Sequence, residues 1–321
     1  MEIKKVVAGI DIGGTNTVFG FVEENGNCLF ESSIPTLAEK PADQFFERLF
    51  KHLLESFQNF AGTHELLGIG MGAPNANYYK GTVENPPNLN WGIVDVKNIV
   101  KKYTPLPAAL TNDANAAALG EMLFGAGIGL KDFVVITLGT GLGSGIIVNG
   151  ELVYGHDGFA GEIGHSIVQI NGRDCGCGRK GCLETYASAT GIRRTAIELL
   201  NGSDQKSELR NIPEEQITSK HIGIAAANGD KLALEAFDFT ARILGFELAN
   251  TVAYLSPEAI ILFGGLAKAG DLIFVPVKKY MEENLLNIFK NKVRIIPSGL
   301  LDKNTAVLGA AALIWNELKK H

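Results

Sequence analysis

A histidine and three cysteines in this 321-residue sequence have the spacing of metal ligands. His165, Cys175, Cys177 and Cys182 form the pattern H-x9-C-x-C-x4-C. Three thiolates and one imidazole fill the tetrahedral coordination shell of Zn²⁺ and leave no position for water or substrate. The pattern therefore predicts a structural zinc site. A redox-active cysteine pair and chance clustering are the alternatives, but the cysteines lack CxxC spacing and the glycines between them favour a backbone bent around an ion.

Two glutamates accompany the predicted metal ligands. Glu162 lies three residues before His165, and Glu184 lies two residues after Cys182. A metal bound to one imidazole nitrogen fixes the direction of the other nitrogen, which can then bind a hydroxyl group. We therefore predict that Glu162, His165 and Glu184 bind sugar hydroxyls. Simple surface exposure is the alternative for both glutamates.

Glycine-rich turns join apolar segments at two places in the chain. The first turn, DIGGT, contains Asp11, Gly13, Gly14 and Thr15. Because glycine lacks a Cβ atom, backbone N–H groups can approach phosphate oxygens closely; Thr15 adds a hydroxyl donor, and Asp11 can hold Mg²⁺. The second turn consists of Gly139, Thr140 and Gly141. A plain hairpin explains either turn alone, and neither fits the GxxxxGK[ST] pattern, but the repetition favours phosphate binding.

A further glycine pair, Gly264 and Gly265, follows the apolar segment Ala259–Phe263. A backbone without side chains permits close approach of an adenine or a ribose. We predict that this pair lies near a nucleotide, although a turn at the start of a helix explains it equally well.

A carboxylate occupies the junction between a predicted strand and a predicted helix. The extended segment Ala108–Asn112 leads into Asp113, and the helix Ala114–Phe124 follows. Either Asn112 or Asp113 can cap that helix. Phosphoryl transfer to a hydroxyl group, however, needs a carboxylate that accepts the proton, and α/β folds place such groups at strand ends. We predict that Asp113 is this general base and that Asn112 binds a sugar hydroxyl.

Strand-like and helical segments alternate along the chain, which predicts the α/β class. Strands, glycine turns and Asn-Gly hairpins occur in the same order from Val6 and again from Phe133, which predicts an internally duplicated fold. The main predicted helices and strands are Ala42–Phe60, Leu66–Met71, Ala114–Phe124, Lys231–Leu255, Ala259–Phe263, Val293–Ile296 and Thr305–Lys319. We expect residues 1–110 and 303–321 to form a small N-terminal domain, and residues 111–302 a large domain with the zinc-binding loop.

Composition and charge argue against several classes of protein. The net charge is −6 without a basic block, which disfavours nucleic-acid and anionic-membrane surfaces. No apolar run is long enough to span a bilayer, and the first residues do not resemble a secretory signal. We therefore expect a cytoplasmic protein, in which clustered cysteines indicate metal rather than disulfides. The fourth cysteine, Cys28, is predicted to be a buried apolar residue.

Taken together, the motifs resemble the ROK (repressor, open reading frame, kinase) family of sugar kinases. The matching segments are DIGGT at Asp11–Thr15, NDAN at Asn112–Asn115, LGTGLGSG at Leu138–Gly145, AGEIGH at Ala160–His165 and CGCGRKGCLE at Cys175–Glu184. The Gly-His and cysteine signature is specific to this family, whereas DIGGT is shared across the hexokinase and actin superfamily. The resemblance implies two ribonuclease-H-like α/β domains flanking a deep cleft.

The resemblance also implies ATP-dependent phosphorylation of a hexose, with glucose favoured, and Asp113 as the base. The hexose-binding residues would be Asn88, Asn112, Asp113, Glu162, His165 and Glu184. Mg·ATP would be held by Asp11, Gly13, Gly14, Thr15 and the turn Gly139, Thr140 and Gly141, with Gly264 and Gly265 near the adenosine. Members of the family are often homodimers or homotetramers.

One segment departs from the family pattern and leaves the hexose open. After GMGAP, where family members often have glycine, this chain has Asn75 and a longer stretch that includes Asn88. Both asparagines are candidate substrate contacts, and fructose, mannose, allose, N-acetylmannosamine and N-acetylglucosamine are the other candidate sugars.

Two other functions are disfavoured. Transcriptional repressors of the family carry a helix-turn-helix domain before the kinase-like part, and the ten residues before Asp11 are too few to form one. A non-catalytic sugar sensor is disfavoured by Asp113 and the DIGGT turn.

Overall fold

The computed structural model of the protein describes residues 3–300 and 304–320. In the first part of the chain the elements are β1 (Lys4–Ile12), β2 (Asn16–Glu23), β3 (Cys28–Pro35), α1 (Ala42–Phe57), β4 (His64–Gly72), β5 (Ala76–Asn77), β6 (Thr82–Glu84), β7 (Ile93–Asp95), α2 (Val96–Val100), β8 (Ala108–Thr111) and α3 (Asp113–Phe124). They continue with β9 (Phe133–Leu138), β10 (Leu142–Val148), β11 (Glu151–Leu152), α4 (Ala189–Gly202), α5 (Ser219–Ala227), α6 (Lys231–Leu255), β12 (Ala259–Phe263), α7 (Asp271–Asn284), β13 (Arg294–Pro297) and α8 (Thr305–Lys319).

The chain forms two compact units with the same sheet topology. Unit 1 consists of residues 1–129, 152–160 and 299–321, and unit 2 of residues 130–151 and 161–298. The strand order is β3-β2-β1-β4-β8 in unit 1 and β11-β10-β9-β12-β13 in unit 2. In both sheets a hairpin is antiparallel and the two following strands pair in parallel. The α/β class and the predicted duplication are confirmed.

The domain limits predicted from the sequence differ in kind from the limits of these compact units, which follow from contacts within the fold. The limit between residues 110 and 111 stays a prediction. The limit between residues 302 and 303 lies outside the described part of the chain.

The central strand of unit 1, β1, is covered on both faces. Successive side chains of a strand point to opposite faces, and Val6, Ala8 and Ile10 pack with the phenylalanines of β2 and α1. Val7 points to the other face and packs with α8. Burial on both faces explains why the strand is apolar from Val6 to Ile10.

Glycine permits α8 to approach this sheet closely. A methyl group at Gly9 would overlap the carbonyl oxygen of Val307, and one at Gly70 would overlap that of Ala310. Any residue other than glycine at position 9 or 70 would therefore place its Cβ atom on the backbone of α8.

The helices α4, α5 and α7 of unit 2 all pack against α6. The longest of the four, α6, begins at Asp230, whose side chain accepts hydrogen bonds from the backbone N–H groups of Leu232 (3.0 Å) and Ala233 (3.1 Å). It packs against α7 at Gly245, where a Cβ atom would lie 2.8 Å from the carbonyl oxygen of Val277. Across residues 3–300 and 304–320, no helix has the length and apolar character needed to cross a membrane.

The expectation that Cys28 is buried is wrong. Cys28 is exposed, because it starts β3, which is an edge strand of its sheet.

Candidate active site

The carboxyl ends of three parallel strands bring two aspartates together in unit 1. Asp11 of β1 is paired with Gly72 of β4, and Gly72 with Thr111 of β8. Asp113 follows β8 as the first residue of α3. A Cβ atom at Gly72 would lie 3.6 Å from Oδ1 of Asp11 and 4.0 Å from Cα of Asp113. The two acids therefore flank one glycine at the edge where α/β folds bind ligands.

Asn112, rather than Asp113, caps α3. Its Oδ1 atom accepts a hydrogen bond of 2.7 Å from the backbone N–H of Asn115. Asp113 is exposed, and its Oδ1 atom accepts a bond of 2.9 Å from the N–H of Ala114. The capping oxygen of Asn112 is thus engaged, which leaves its Nδ2 group to donate to a ligand.

Asp11 is the aspartate whose ionisation the surroundings change most. Burial is the larger cause and the negative charge of Asp113 the second; together they raise the pKa of Asp11 to about 6. A cation beside this carboxylate would oppose both effects. The donor chemistry of Asp11 therefore fits Mg²⁺.

The first glycine turn adjoins Asn88. A Cβ atom at Gly14 would lie 2.8 Å from Cβ of Asn88, so glycine is needed for the loop to approach. The turn itself is held by Thr36, whose hydroxyl donates to the carbonyl oxygen of Gly13 at 2.7 Å and whose N–H donates to that of Thr15 at 2.9 Å. The predicted residues of unit 1 thus lie on neighbouring strand ends and turns.

Asn75 has a structural reason for its identity. Its φ of 52° lies in the left-handed region that glycine and asparagine tolerate. Its Nδ2 group donates to the carbonyl oxygens of Glu84 and Asn85, both at 3.1 Å. The side chain therefore fixes the loop that leads to Asn88.

In unit 2 the four predicted metal ligands converge. The ligand atoms of His165, Cys175, Cys177 and Cys182 all lie within 4.8 Å of one another. Nδ1 of His165 is 3.7 Å from Sγ of Cys175, and the Sγ atoms of Cys177 and Cys182 are 3.6 Å apart. Tetrahedral zinc with Zn–S bonds of about 2.3 Å places its donors roughly 3.7 Å apart. The donor set and its spacing fit Zn²⁺.

Tight backbone turns produce this convergence. Gly178 and Gly181 have φ values of 85° and 76°, and a side chain at Gly181 would overlap the carbonyl oxygen of Gln169. The N–H of Cys175 donates to the carbonyl oxygen of Arg179 at 2.9 Å. Burial raises the pKa of the Cys175 and Cys182 thiols. At Cys177 burial also acts to raise the pKa, but hydrogen bonds with Arg179, Cys175 and Cys182 together outweigh it and lower the pKa to about 6.

The two predicted sugar-binding glutamates stand on opposite sides of His165. Oε1 of Glu184 lies 3.7 Å from Nδ1 of the imidazole, and Oε2 of Glu162 lies 4.0 Å from Nε2. A Cβ atom at Gly141 would lie 2.6 Å from Oε2 of Glu184. The four candidate metal ligands, both glutamates and the second glycine turn therefore form one group in unit 2.

A pocket of about 590 Å³ opens beside Gly265 in unit 2. Its lining includes Gly223 and Ile224 of α5, with Lys220 and Lys268. The left-handed φ of 105° at Gly264 directs the chain out of β12 toward it. Sequence reasoning identified the glycine pair but missed α5, because no motif marks that helix as part of a pocket.

Comparisons with known proteins agree with this arrangement. Residues 7–317 match the ROK family. The chain is 38% identical to the glucokinase of Halalkalibacterium halodurans over 285 residues, which is 85% of this chain and 84% of that protein. It is 35% identical to the glucokinase of Streptomyces coelicolor over 310 residues, which is 95% of this chain and 96% of that protein.

A solved structure gives the same result for the fold. A ROK family glucokinase from Streptomyces griseus, crystallised with glucose and AMPPNP, superposes with a TM-score of 0.79 at 34% identity, over 96% of this chain and 98% of that one. The two duplicated sheets are the ribonuclease-H-like α/β units of the hexokinase and actin superfamily. Because sequence and fold match over nearly the whole chain, this protein belongs to the ROK family.

Proposed function

We propose that this protein is an ATP-dependent glucokinase, which transfers the γ-phosphoryl group of ATP to the 6-hydroxyl of glucose. The observation that carries the proposal is the exposed Asp113 beside the partly buried Asp11 at the carboxyl edge of a parallel sheet. Sugar phosphorylation needs one carboxylate that accepts the hydroxyl proton and another that holds Mg²⁺ with the phosphates. The relatives named glucokinase support glucose as the acceptor.

Asp113 takes the proton from the sugar hydroxyl as the oxygen attacks the γ-phosphorus. Asn112 donates its Nδ2 group to a neighbouring hydroxyl, since its Oδ1 atom caps α3. The other residues that bind sugar hydroxyls in this proposal are Asn88, Glu162, His165 and Glu184. Each of these side chains offers a polar group of the kind that a sugar with several hydroxyls requires.

The nucleotide is bound by backbone N–H groups and one carboxylate. Asp11 and the turn Gly13–Thr15 hold the phosphates with Mg²⁺, which neutralises phosphate charge when bound. The turn Gly139–Gly141 contributes further N–H groups. The pocket beside Gly265 receives the adenosine, because it combines apolar walls with two lysines.

Zinc bound by His165, Cys175, Cys177 and Cys182 has a structural function. Four protein ligands leave it no open position. Its contribution is to fix the imidazole and, through it, the surroundings of Glu162 and Glu184.

A coupled assay of ATP-to-ADP conversion across a panel of hexoses with Mg²⁺ tests the proposal. We expect the highest kcat/KM for glucose. Higher values for mannose, fructose, allose or an N-acetylated sugar would reassign the substrate, and no turnover by a folded, zinc-loaded protein would support the sensor instead. Light scattering on the same preparation tests the expected homodimer or homotetramer.

A further inference from the structure

Arg173, which no motif of the sequence singled out, is bonded through its entire guanidinium group. An arginine has five N–H donors, and the structure gives five acceptor contacts. Nε and Nη2 donate to the two carboxylate oxygens of Glu198, and Nη2 also donates to the Thr195 hydroxyl at 2.9 Å. Nη1 donates to the carbonyl oxygens of Thr185 (2.8 Å) and Gly191 (3.2 Å).

The surroundings of this side chain are those of a buried anchor. The Arg173 side chain is only 9% exposed, whereas its partner Glu198 is 59% exposed. The guanidinium carbon lies 4.6 Å from the centroid of the Tyr186 ring. The Tyr186 hydroxyl in turn accepts the backbone N–H of Arg173 at 2.8 Å. Both the side chain and the main chain of Arg173 therefore bind the segment that follows Cys182.

The groups that Arg173 holds are next to two parts of the proposed site. Thr185 directly follows Glu184, whose carbonyl oxygen accepts the Ser188 hydroxyl at 2.7 Å. Gly191 lies in the first turn of α4, and the N–H of Ala189 at the start of that helix donates to the carbonyl oxygen of Gly139 at 2.9 Å. A continuous set of contacts thus joins Arg173 to Glu184 and to the second glycine turn.

The guanidinium contacts none of the four candidate metal ligands directly. Its partners are Thr185, Gly191, Thr195, Glu198 and the rings of Tyr186 and Phe239. Two bonds link this group to the candidate ligands: the N–H of Gly181 donates to the carbonyl oxygen of Arg173 at 2.8 Å, and the Thr185 hydroxyl donates to that of Cys182 at 2.7 Å. Substitution of Arg173 therefore removes contacts around Glu184 without removing a candidate ligand.

We propose that Arg173 is a positioning residue that holds Glu184 and the Gly139–Gly141 turn in their binding arrangement, independently of the zinc. This inference rests on the proposed sugar-binding role of Glu184. A lysine cannot replace the arginine, because its single nitrogen has three donors and cannot reach acceptors spread around a planar group. Arg173→Lys therefore preserves charge and removes most of the contacts.

The test compares Arg173→Lys with Arg194→Lys. Arg194 is a matched control, since it lies nearby on α4 and makes a single bond of 3.1 Å to the Asp174 carbonyl oxygen. For Arg173→Lys we expect one zinc per chain to be retained. The KM for glucose should rise about tenfold, with a smaller change in kcat, because small displacements of positioning groups have large kinetic effects. Amide hydrogen exchange over residues 183–191 should accelerate about tenfold. Arg194→Lys should leave all three unchanged.

Two results would overturn the inference. One is a lower melting temperature with unchanged glucose KM and unchanged exchange over residues 183–191, which indicates a general stabilising role. The other is loss of zinc in Arg173→Lys, which indicates action through the metal.

If Arg173→Lys does not fold, Glu198→Gln serves as a second variant, because it alters only the exposed partner. It should raise the exchange rates over residues 183–191 by a smaller factor, and unchanged rates refute the proposal. If the proposed function is wrong, the wild-type protein will show no turnover on any hexose. In that case the exchange rates and the zinc content still decide the role of Arg173.

Discussion

Two adjacent residues at the start of α3 differ in the hydrogen bonds that their side chains make. Asn112 accepts the capping hydrogen bond from Asn115, so the exposed carboxylate of Asp113 is available to a substrate. The helix cap formed by Asn112 is therefore compatible with the proposed function of Asp113 as the general base.

Asp113→Asn should lower kcat by a factor of about 10² to 10⁴, which is the usual contribution of a general base. Glucose affinity should change little, because an amide can still accept and donate hydrogen bonds. Steady-state kinetics and calorimetric titration with glucose measure the two effects. Asp43→Asn, which removes an exposed carboxylate of α1, is the control, and near-normal turnover of Asp113→Asn would show that another group is the base.

Asp11 gives a pH dependence whose sign follows from its pKa. Burial and Asp113 raise the pKa from 3.8 to about 6, so the folded protein favours the protonated acid. The stability that this group contributes is present below about pH 4 and is lost as the pH rises to about 6. At pH 7 the loss amounts to about 3 kcal/mol at most.

Asp11→Asn should therefore be more stable than the wild type at pH 7 in buffer without Mg²⁺, and of similar stability near pH 4. It should also lose kinase activity, since an amide binds Mg²⁺ poorly. Urea unfolding at several pH values measures the difference in free energy. A difference that does not vary with pH would contradict the assigned cause.

At the scale of elements, we propose that the loop with the four candidate zinc ligands depends on the ion more than on packing. Cys177 is exposed, so its substitution removes a ligand without opening a cavity. Cys177→Ser should lose zinc, lower the melting temperature by several degrees and raise the glucose KM. Zinc analysis and thermal unfolding test this, with Cys28→Ser as the control, because Cys28 is also exposed and belongs to no cluster. Full activity without metal would refute the structural role of the zinc.

The contact between α8 and the sheet of unit 1 predicts a second element-scale effect. Gly70→Ala places a methyl group on the Ala310 carbonyl oxygen, which must displace the helix. Such overpacking costs typically 1–3 kcal/mol and occasionally more, and we expect at least about 3 kcal/mol because the obstacle is backbone. Gly62→Ala is the control, since nothing lies within 4 Å of its added carbon. Equal stability of the two variants in urea would contradict the packing argument.

Elements with strong local signals were predictable from the sequence. Lys231–Leu255, Ala259–Phe263 and Thr305–Lys319 have the predicted limits, because apolar periodicity and flanking polar residues agree there. The helix predicted over Ala42–Phe60 ends at Phe57 instead. The convergence of the four candidate metal ligands was also predictable, since their spacing is short and specific.

Features that depend on contacts between distant residues were not predictable. The exposure of Cys28 follows from the position of β3 at a sheet edge, which no local pattern encodes. The pocket beside Gly265 needs α5, about forty residues earlier in the chain. Arg173 resembles any surface arginine in the sequence, and only the fold brings its five acceptors together.

At the scale of the whole molecule, unit 1 is discontinuous and unit 2 lies mostly within one stretch of chain. Removal of residues 301–321 should therefore leave unit 2 folded and zinc-bound while the sheet of unit 1 loses its cover. Hydrogen exchange should become fast in β1 and β4 and stay slow in β9 and β12. Continued protection of β1 in the shortened chain would show that α8 is dispensable.

The late position of α8 also has a consequence for the nascent chain. In the folded protein the indole N–H of Trp315 donates to the carbonyl oxygen of Val22, 293 residues earlier. A ribosome that has completed α3 must translate all of unit 2 before α8 emerges, which takes roughly 10–35 s at about 5–20 residues per second. During that interval one face of the β1 sheet is uncovered, and this apolar face is where a chaperone would be needed to prevent aggregation.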